Sequence, residues 1–115
     1  MSDSSSLAQK QNQRVHERRP LRSKGLLVVD RSDPMPFDTI DIGHGGLGIV
    51  FPKQLQIGQR CFVKFVIFVI GRKYDIVAAA RVSHSVCGKD GFKTGLQFME
   101  MEQVFKDAVI RFMET

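Results

Sequence analysis

The sequence predicts a mainly β domain in which about six short strands precede one C-terminal helix. Three observations lead to this fold class. Runs of apolar and β-branched residues recur along the chain and are separated by turns rich in glycine, proline and aspartate. Near the C-terminus the apolar residues instead recur every three or four positions, which is the spacing of one helical face. No helical pattern lies between the strands, so we expect them to pair antiparallel, as a sheet or as a barrel.

The composition is that of one ordinary globular domain. The chain has 115 residues, of which 43% are hydrophobic and 25% are charged, and these values exclude a collagen-like, coiled-coil or wholly disordered protein. The longest unbroken apolar run, residues 65–70, is far shorter than the roughly 20 residues that span a bilayer. Residues 1–11 contain no apolar signal core, so we expect an intracellular, cytoplasmic protein.

Turns bound each of the strand candidates. Six apolar or alternating runs qualify as strands, over residues 26–29, 37–42, 47–51, 60–70, 74–85 and 92–99. The helix candidate presents six apolar residues on one face: Val104, Phe105, Ala108, Val109, Phe112 and Met113. We expect this face to pack as a lid on the open end of a small barrel. Residues 1–15 have few large apolar groups and are predicted to form a flexible arm, which leaves 16–115 as a single domain.

The cysteines and histidines give no metal or catalytic pattern. Cys61 and Cys87 lie in apolar, strand-like stretches and are predicted to be buried, reduced thiols. The three histidines are widely spaced and no Cys-x-x-Cys or His-x-x-x-His pair occurs, so no metal or cofactor is predicted. A nucleophile and its base could be assembled only by arbitrary choice from Ser83, His84 and nearby residues. We therefore predict no catalytic residues and no enzyme activity.

The glycine-rich segment matches the dinucleotide-binding fingerprint in its letters only. Gly43-x-Gly45-x-x-Gly48 has the spacing G-x-G-x-x-G, but that fingerprint must open a helix and be followed about 20 residues later by an acidic residue. Here the glycines precede a strand-like run, and the later stretch, residues 62–68, is apolar apart from Lys64. We interpret the glycines as a tight turn between two strands.

Basic residues are concentrated near the N-terminus. The chain has 17 Lys and Arg against 12 Asp and Glu, a net charge of +5. A cluster opposed by one acidic residue comprises Lys10, Arg14, Arg18, Arg19, Arg22 and Lys24. Arginine binds phosphate oxygens in a bidentate manner and pairs with the O6/N7 edge of guanine, so this arm could wrap a guanine nucleotide. A solvated basic arm without a ligand is the alternative.

Two motifs in a fixed order resemble those of a known family. Arg18-x-x-x-Arg22 is followed, nineteen residues after Arg22, by Asp41-Ile42-Gly43-His44-Gly45-Gly46. These motifs resemble the R-x-x-x-R and [D/N]-x-S-x-x-G patterns of the PilZ domain, the bacterial receptor module for cyclic di-GMP. Residues 80–82 and 91–98 also look typical of that family. The resemblance implies a six-stranded antiparallel β-barrel with a C-terminal helix and a basic N-terminal arm.

The resemblance also implies a role for individual residues. Arg18 and Arg22 would grip the phosphates and the guanine edge of the ligand, and Arg19 would assist through charge or stacking. Asp41 would accept hydrogen bonds from guanine N1–H and the exocyclic amine. Gly46 would give the turn and allow close approach of the backbone to the ligand.

Two features of the motifs leave choices open. Gly43 stands where the family has serine, although its backbone N–H remains accessible to the ligand. The loss of one neutral hydrogen bond, worth about 0.5–1.5 kcal/mol, is expected to weaken binding rather than abolish it. Arg14-x-x-x-Arg18 has the same spacing as the arginine motif, and we prefer Arg18 and Arg22 because they lie closer to the first strand.

Three functions fit these observations to different degrees. The leading hypothesis is a cyclic di-GMP receptor whose arm orders over the ligand and which signals to an effector protein in motility, pili, adhesion or exopolysaccharide production. The main alternative is a PilZ-like adaptor that does not bind the nucleotide, which Gly43 favours. A barrel that binds RNA or DNA is disfavoured, because the chain has no Trp, one Tyr and most of its nine Phe in core-like runs.

Overall fold

The computed structural model describes residues 17–115, so the predicted flexible segment 1–15, which includes Arg14, lies outside the described residues. Within the described part of the chain the elements are β1 (Arg18–Pro20), β2 (Lys24–Val29), β3 (Met35–Gly43), β4 (Gly46–Phe51), β5 (Arg60–Val69), β6 (Arg72–Gly88), β7 (Gly91–Met101) and α1 (Gln103–Glu114). The six predicted strands correspond to β2 to β7, and the predicted helix corresponds to α1. The short strand β1 is an addition.

Strands β2 to β7 form a closed antiparallel barrel. Their order around the barrel is β3, β2, β5, β6, β7 and β4, and β4 pairs back onto β3 to close it. The longest connection between consecutive strands, residues 52–59, is shorter than the dozen or more residues that a parallel crossover needs. The antiparallel six-stranded barrel predicted from the sequence is therefore confirmed.

Strands β1 and β2 both pair with the same strand, β3, and they lie one after the other along it. Arg18 lies opposite Gly43 in the pairing of β1 with β3, whereas Lys24 lies opposite Asp38 in the pairing of β2 with the same strand. Residues 21–23, which connect β1 and β2, are irregular and are held against β3 by hydrogen bonds to the buried Thr39 hydroxyl. That hydroxyl accepts a hydrogen bond from the Ser23 N–H at 2.7 Å and donates one to the Leu21 carbonyl at 2.7 Å. Part of the basic arm is thus already paired with the barrel.

The core follows from the alternation of residues along the strands. The buried residues of β5 are Cys61, Val63, Phe65, Ile67 and Val69. Inside the barrel the Phe65 ring stacks on Phe98, with ring centroids 6.1 Å apart. Helix α1 packs against β5 and β6, and it buries Ala108, Val109 and Met113 in the same core. The predicted apolar helix face packs on the barrel through five of its six residues, since Phe105 and Phe112 are also partly buried, whereas Val104 is exposed.

One expectation about an individual side chain was wrong. Cys61 is buried, but Cys87 is exposed, because it lies in the outer end of the long strand β6 next to its turn. Phe62 and Phe68, which lie in an apolar run, are exposed as well, since they alternate with the inward-facing residues of β5. An apolar run does not reveal which of its residues face outward.

No helix within residues 17–115 combines the length and the apolar character needed to cross a membrane.

Candidate ligand-binding site

A β-bulge in β3 turns Asp41 toward the outer surface of the barrel. In the pairing of β3 with β4, Thr39 lies opposite Ile49 and Asp41 lies opposite Gly48, so Ile40 is an extra residue in β3. A bulge shifts the alternation of side chains by one position. Thr39 therefore faces inward, whereas both Ile40 and Asp41 are placed on the outer face.

Asp41 forms an ion pair with Arg18. The Arg18 Nη2 atom donates to Asp41 Oδ1 at 2.7 Å, and the two side chains are 39% and 34% exposed. An ion pair this open to water contributes little to stability, typically below about 1 kcal/mol. The ion pair instead fixes the positions of its two side chains, because it holds a cationic donor and an anionic acceptor together on the barrel surface.

Two glycines, Gly43 and Gly48, make room for this pair, and a third, Gly46, allows close packing of β4 on β7. A Cβ atom at Gly48 would clash with Asp41 Oδ1, and one at Gly46 would clash with the Leu96 carbonyl. A Cβ atom at Gly43 would lie 2.9 Å from the Glu17 carbonyl oxygen and 3.2 Å from Arg18 Cδ. The serine that the family has in place of Gly43 therefore could not fit unless β1 moved.

Arg19 points to the opposite side of β1 from Arg18. Its guanidinium donates a hydrogen bond to the Phe112 carbonyl and lies over the Phe112 ring, with its central carbon 5.2 Å from the ring centroid. Phe112 is in the last turn of α1, where a cation interacts favourably with the free carbonyl groups. In this conformation Arg19 binds the helix, and its predicted contact with a ligand stays a prediction.

Arg22, in the irregular segment between β1 and β2, lines a different cavity from the one beside the ion pair. That cavity has a volume of about 360 Å³ and is lined by Arg22, Ser23, Lys24, Asp38 and Thr39. The structure thus brings Arg18, Asp41, Gly43 and Gly46 together and leaves Arg22 in the neighbouring cavity.

A cavity of about 380 Å³ adjoins the ion pair and extends to strands that the sequence analysis did not assign to a site. On the β3 side it is lined by Arg18 and Asp41, and on the β6 and β7 side by Ser83, His84 and Lys93. Gly48 and Gly95, which lie inside strands, were the features of the sequence that could have indicated this part of the cavity. A glycine inside a strand often marks a bulge or a place where a ligand or another chain segment approaches the backbone closely. Among residues 17–115, no three potential metal ligands converge.

The family assignment rests on a family model that matches nearly the whole chain. The family model of the PilZ domain matches residues 12–115. The chain belongs to the PilZ domain family. No curated protein matches the chain significantly.

Solved structures of PilZ proteins share the fold at low sequence identity. The inhibitor of motility MotI (DgrA) of Bacillus subtilis has a TM-score of 0.74 and 14% identity, covering 83% of this chain and 46% of that one. The PilZ domain of CeSA from a cellulose-synthesizing bacterium has a TM-score of 0.58 and 18% identity, covering 84% and 93%. The PlzA protein of Borreliella burgdorferi, solved in complex with c-di-GMP, has a TM-score of 0.61 and 15% identity, covering 96% and 45%. This PilZ chain therefore spans about half the length of MotI and of PlzA.

Proposed function

We propose that this PilZ protein is a cytoplasmic receptor for cyclic di-GMP that acts through a partner protein rather than as an enzyme. The observation that carries the proposal is the 2.7 Å ion pair between Arg18 and Asp41. It joins the arginine motif and the Asp-Gly motif at one point of the barrel surface. The PilZ domain assignment and the neighbour PlzA, solved with c-di-GMP, support the same ligand.

Complementary hydrogen-bonding groups explain why these residues suit a guanine dinucleotide. The Asp41 carboxylate only accepts hydrogen bonds, and the Watson–Crick edge of guanine offers N1–H and the exocyclic amine as neighbouring donors. Arg18 and Arg22 supply bidentate donors for phosphate oxygens and for the O6/N7 edge of guanine. In the bound state Asp41 turns from Arg18 to the base, and Arg18 turns to the ligand's acceptors. Gly43 and Gly46 keep the backbone open to the ligand at this turn.

Signal output follows from the connection between the arm and the helix. Arg18 and Arg19 are adjacent in β1, and the second of them binds Phe112 of α1. A rearrangement of β1 over the ligand therefore changes the contact at the end of α1, and with it the surface offered to an effector protein. Motility is one candidate output, because the neighbour MotI is an inhibitor of motility. Pili, adhesion and exopolysaccharide production are the other outputs that the family suggests.

A PilZ adaptor that does not bind the nucleotide is the second candidate. It is favoured by the position of β1, which lies where a serine side chain at residue 43 would be. In that case the Arg18–Asp41 pair would be a structural contact only.

Calorimetric titration of the full chain with cyclic di-GMP distinguishes the two candidates. GTP and a short single-stranded RNA serve as ligand controls, and Arg18→Ala and Arg31→Ala serve as matched arginine variants. Saturable binding of cyclic di-GMP alone, lost in Arg18→Ala and kept in Arg31→Ala, is the expected result. If the wild-type chain does not bind at about 100 μM ligand, the binding free energy is weaker than roughly −5.5 kcal/mol. That result would support the adaptor instead.

A further inference from the structure

Two glycines face each other in the middle of the barrel wall beside the ion pair. Gly48 of β4 lies directly opposite Gly95 of β7. The residues on either side of each glycine are buried, so the glycines themselves belong to the outer row of their strands. Two adjacent strands therefore have no side chain at this level of the outer surface, and a shallow trough results.

A second β-bulge forms the far wall of the trough. The pairing of β6 with β7 shifts between Val82 and His84, so that Ser83 is an extra residue. A Cβ atom at Gly95 would clash with the His84 ring and would lie 2.7 Å from the Ser83 hydroxyl. The imidazole thus covers Gly95, just as the Asp41 carboxylate covers Gly48 on the near wall.

The trough brings the functional groups of its two walls within reach of one ligand. The walls stand on β3 and β6, but the Asp41 carboxylate lies over Gly48 and the His84 ring lies over Gly95, and these glycines face each other across one strand spacing of roughly 4.8 Å. The cavity between the walls has a volume of about 380 Å³, which lies within the range of small-molecule sites.

The far wall offers hydrogen-bond donors and positive charge. Lys93 lies two residues before Gly95 on the same outer row and is exposed. His84 Nδ1 is 3.3 Å from the Ser83 hydroxyl, which orients the ring and leaves Nε2 for another partner. The near wall combines the cation Arg18 with the acceptor Asp41, whereas Ser83, His84 and Lys93 on the far wall include no carboxylate. A phosphate group fits this donor set best.

We propose that His84 and Lys93 form a phosphate-binding subsite on the far wall of the glycine trough, which holds a phosphate of the same cyclic dinucleotide whose guanine meets Asp41. This subsite rests on the proposed receptor function. It assigns residues of β6 and β7 to a site whose two sequence motifs lie on β1, on the segment after it, on β3 and at the start of β4. Because Gly48 and Gly95 carry no side chains, Asp41 and His84 can lie over them, close enough together for one ligand to contact both.

Affinity measurements on surface variants test the subsite. The full chain and the variants His84→Ala and Lys93→Met are titrated calorimetrically with cyclic di-GMP. Lys64→Met is the matched control, because Lys64 is an exposed lysine on β5, two strands from β7. We expect the affinity to fall about three- to tenfold for His84→Ala and about tenfold or more for Lys93→Met, with no change for Lys64→Met. In ¹H–¹⁵N spectra of the wild-type chain, the Gly95 amide should shift on addition of the ligand.

The possible outcomes separate the subsite from the receptor function. Wild-type affinity in both His84→Ala and Lys93→Met, together with loss of binding in Arg18→Ala, would overturn the subsite and leave the receptor function standing. No binding by the wild-type chain would overturn both. An unmoved Gly95 amide at saturation would also overturn the subsite, because a ligand bound to the His84 ring, which lies over Gly95, would change the surroundings of that amide.

Discussion

Arg19 of β1 binds Phe112 of the C-terminal helix through both its backbone carbonyl and its ring. Its guanidinium carbon lies 5.2 Å from the centroid of the Phe112 ring, and the same group donates a hydrogen bond to the Phe112 carbonyl. Thr115 also donates to that carbonyl, at 3.0 Å from its hydroxyl. The end of α1 is thus capped in part by a residue of β1, on the face of that strand opposite Arg18.

Replacement of Arg19 by Ala is expected to destabilise the fold by about 1–2 kcal/mol. A cation at a helix C-terminus contributes about 0.3–1 kcal/mol, and a cation–π contact contributes about 0.5–1 kcal/mol. Urea denaturation followed by circular dichroism measures the change. Arg31→Ala, at an exposed position in the turn after β2, should leave the free energy of unfolding within about 0.5 kcal/mol of wild type. Equal stability of the two variants would show that the Phe112 contact has no energetic role.

Replacement of Ile70 by Asn is expected to stabilise the protein by about 1 kcal/mol. Ile70 and Gly71 form the two-residue turn between β5 and β6, and both have positive φ, at 49° and 74°. This backbone conformation suits Asn and Gly but costs a β-branched residue about 1–2 kcal/mol. Because Ile70 is 89% exposed, little packing is lost on substitution. Thermal unfolding should show a rise of several degrees, whereas exposed Ile57→Asn should show none.

Replacement of Gly48 by Ala is expected to break the ion pair without unfolding the barrel. The new methyl group would clash with Asp41 Oδ1, so the carboxylate would have to turn away from Arg18. We expect at least a tenfold loss of cyclic di-GMP affinity in calorimetric titration. Gly45→Ala is the control, because a Cβ atom there has no neighbour within 4 Å and should leave the affinity unchanged. If Gly48→Ala bound like wild type, the position of Asp41 would not matter to the ligand.

The two cysteines are expected to differ strongly in reactivity. Burial raises the pKa of the Cys61 thiol from its ordinary value of 9.0 to about 11, so only about one thousandth of it is thiolate at pH 8. Cys87 is exposed. Mass spectrometry after treatment with iodoacetamide at pH 8 should find one label per folded chain, on Cys87, and two labels in urea. Rapid labelling of Cys61 in the folded chain would contradict this burial.

The raised pKa of Cys61 also predicts a pH dependence of stability. The folded state holds the thiol proton more tightly than the unfolded state does. The contribution of the protonated Cys61 thiol to the free energy of unfolding is therefore fully present below about pH 9, and it is lost as the pH rises through about 11. Comparison of urea unfolding at pH 8 and pH 11 should show a smaller pH-dependent loss of stability in Cys61→Ala than in the wild-type chain.

Most of the fold could be predicted because its strands and helix carry regular apolar patterns. The six apolar residues that predicted the helix, from Val104 to Met113, all lie within Gln103–Glu114. The strand candidate 60–70 extends one residue past β5, because Ile70 continues the apolar run although it takes a positive φ in the turn. Strand β1 was missed because Arg18–Pro20 has no apolar alternation and pairs only with β3.

The candidate site could be predicted only where sequence motifs carry it. The family motifs predicted that Arg18 and Asp41 belong to one site, but the ion pair between them was not predicted. The placement of His84 beside that site was not predicted either, because a bulge depends on the register of the partner strand and leaves no local pattern in its own strand. Gly95 was the available sign, since a glycine inside a strand gives up packing and needs a reason to be there.

A double-mutant cycle for cyclic di-GMP binding tests most directly whether Arg18 and Asp41 act as one ligand site. The dissociation constants of wild type, Arg18→Met, Asp41→Asn and the double variant would be measured by calorimetry. We expect each single variant to lose at least tenfold in affinity, and the double variant to lose less than the product of the two losses, because the residues are in contact. Wild-type affinity in both single variants would contradict a shared site, since the ligand would then bind elsewhere on the barrel.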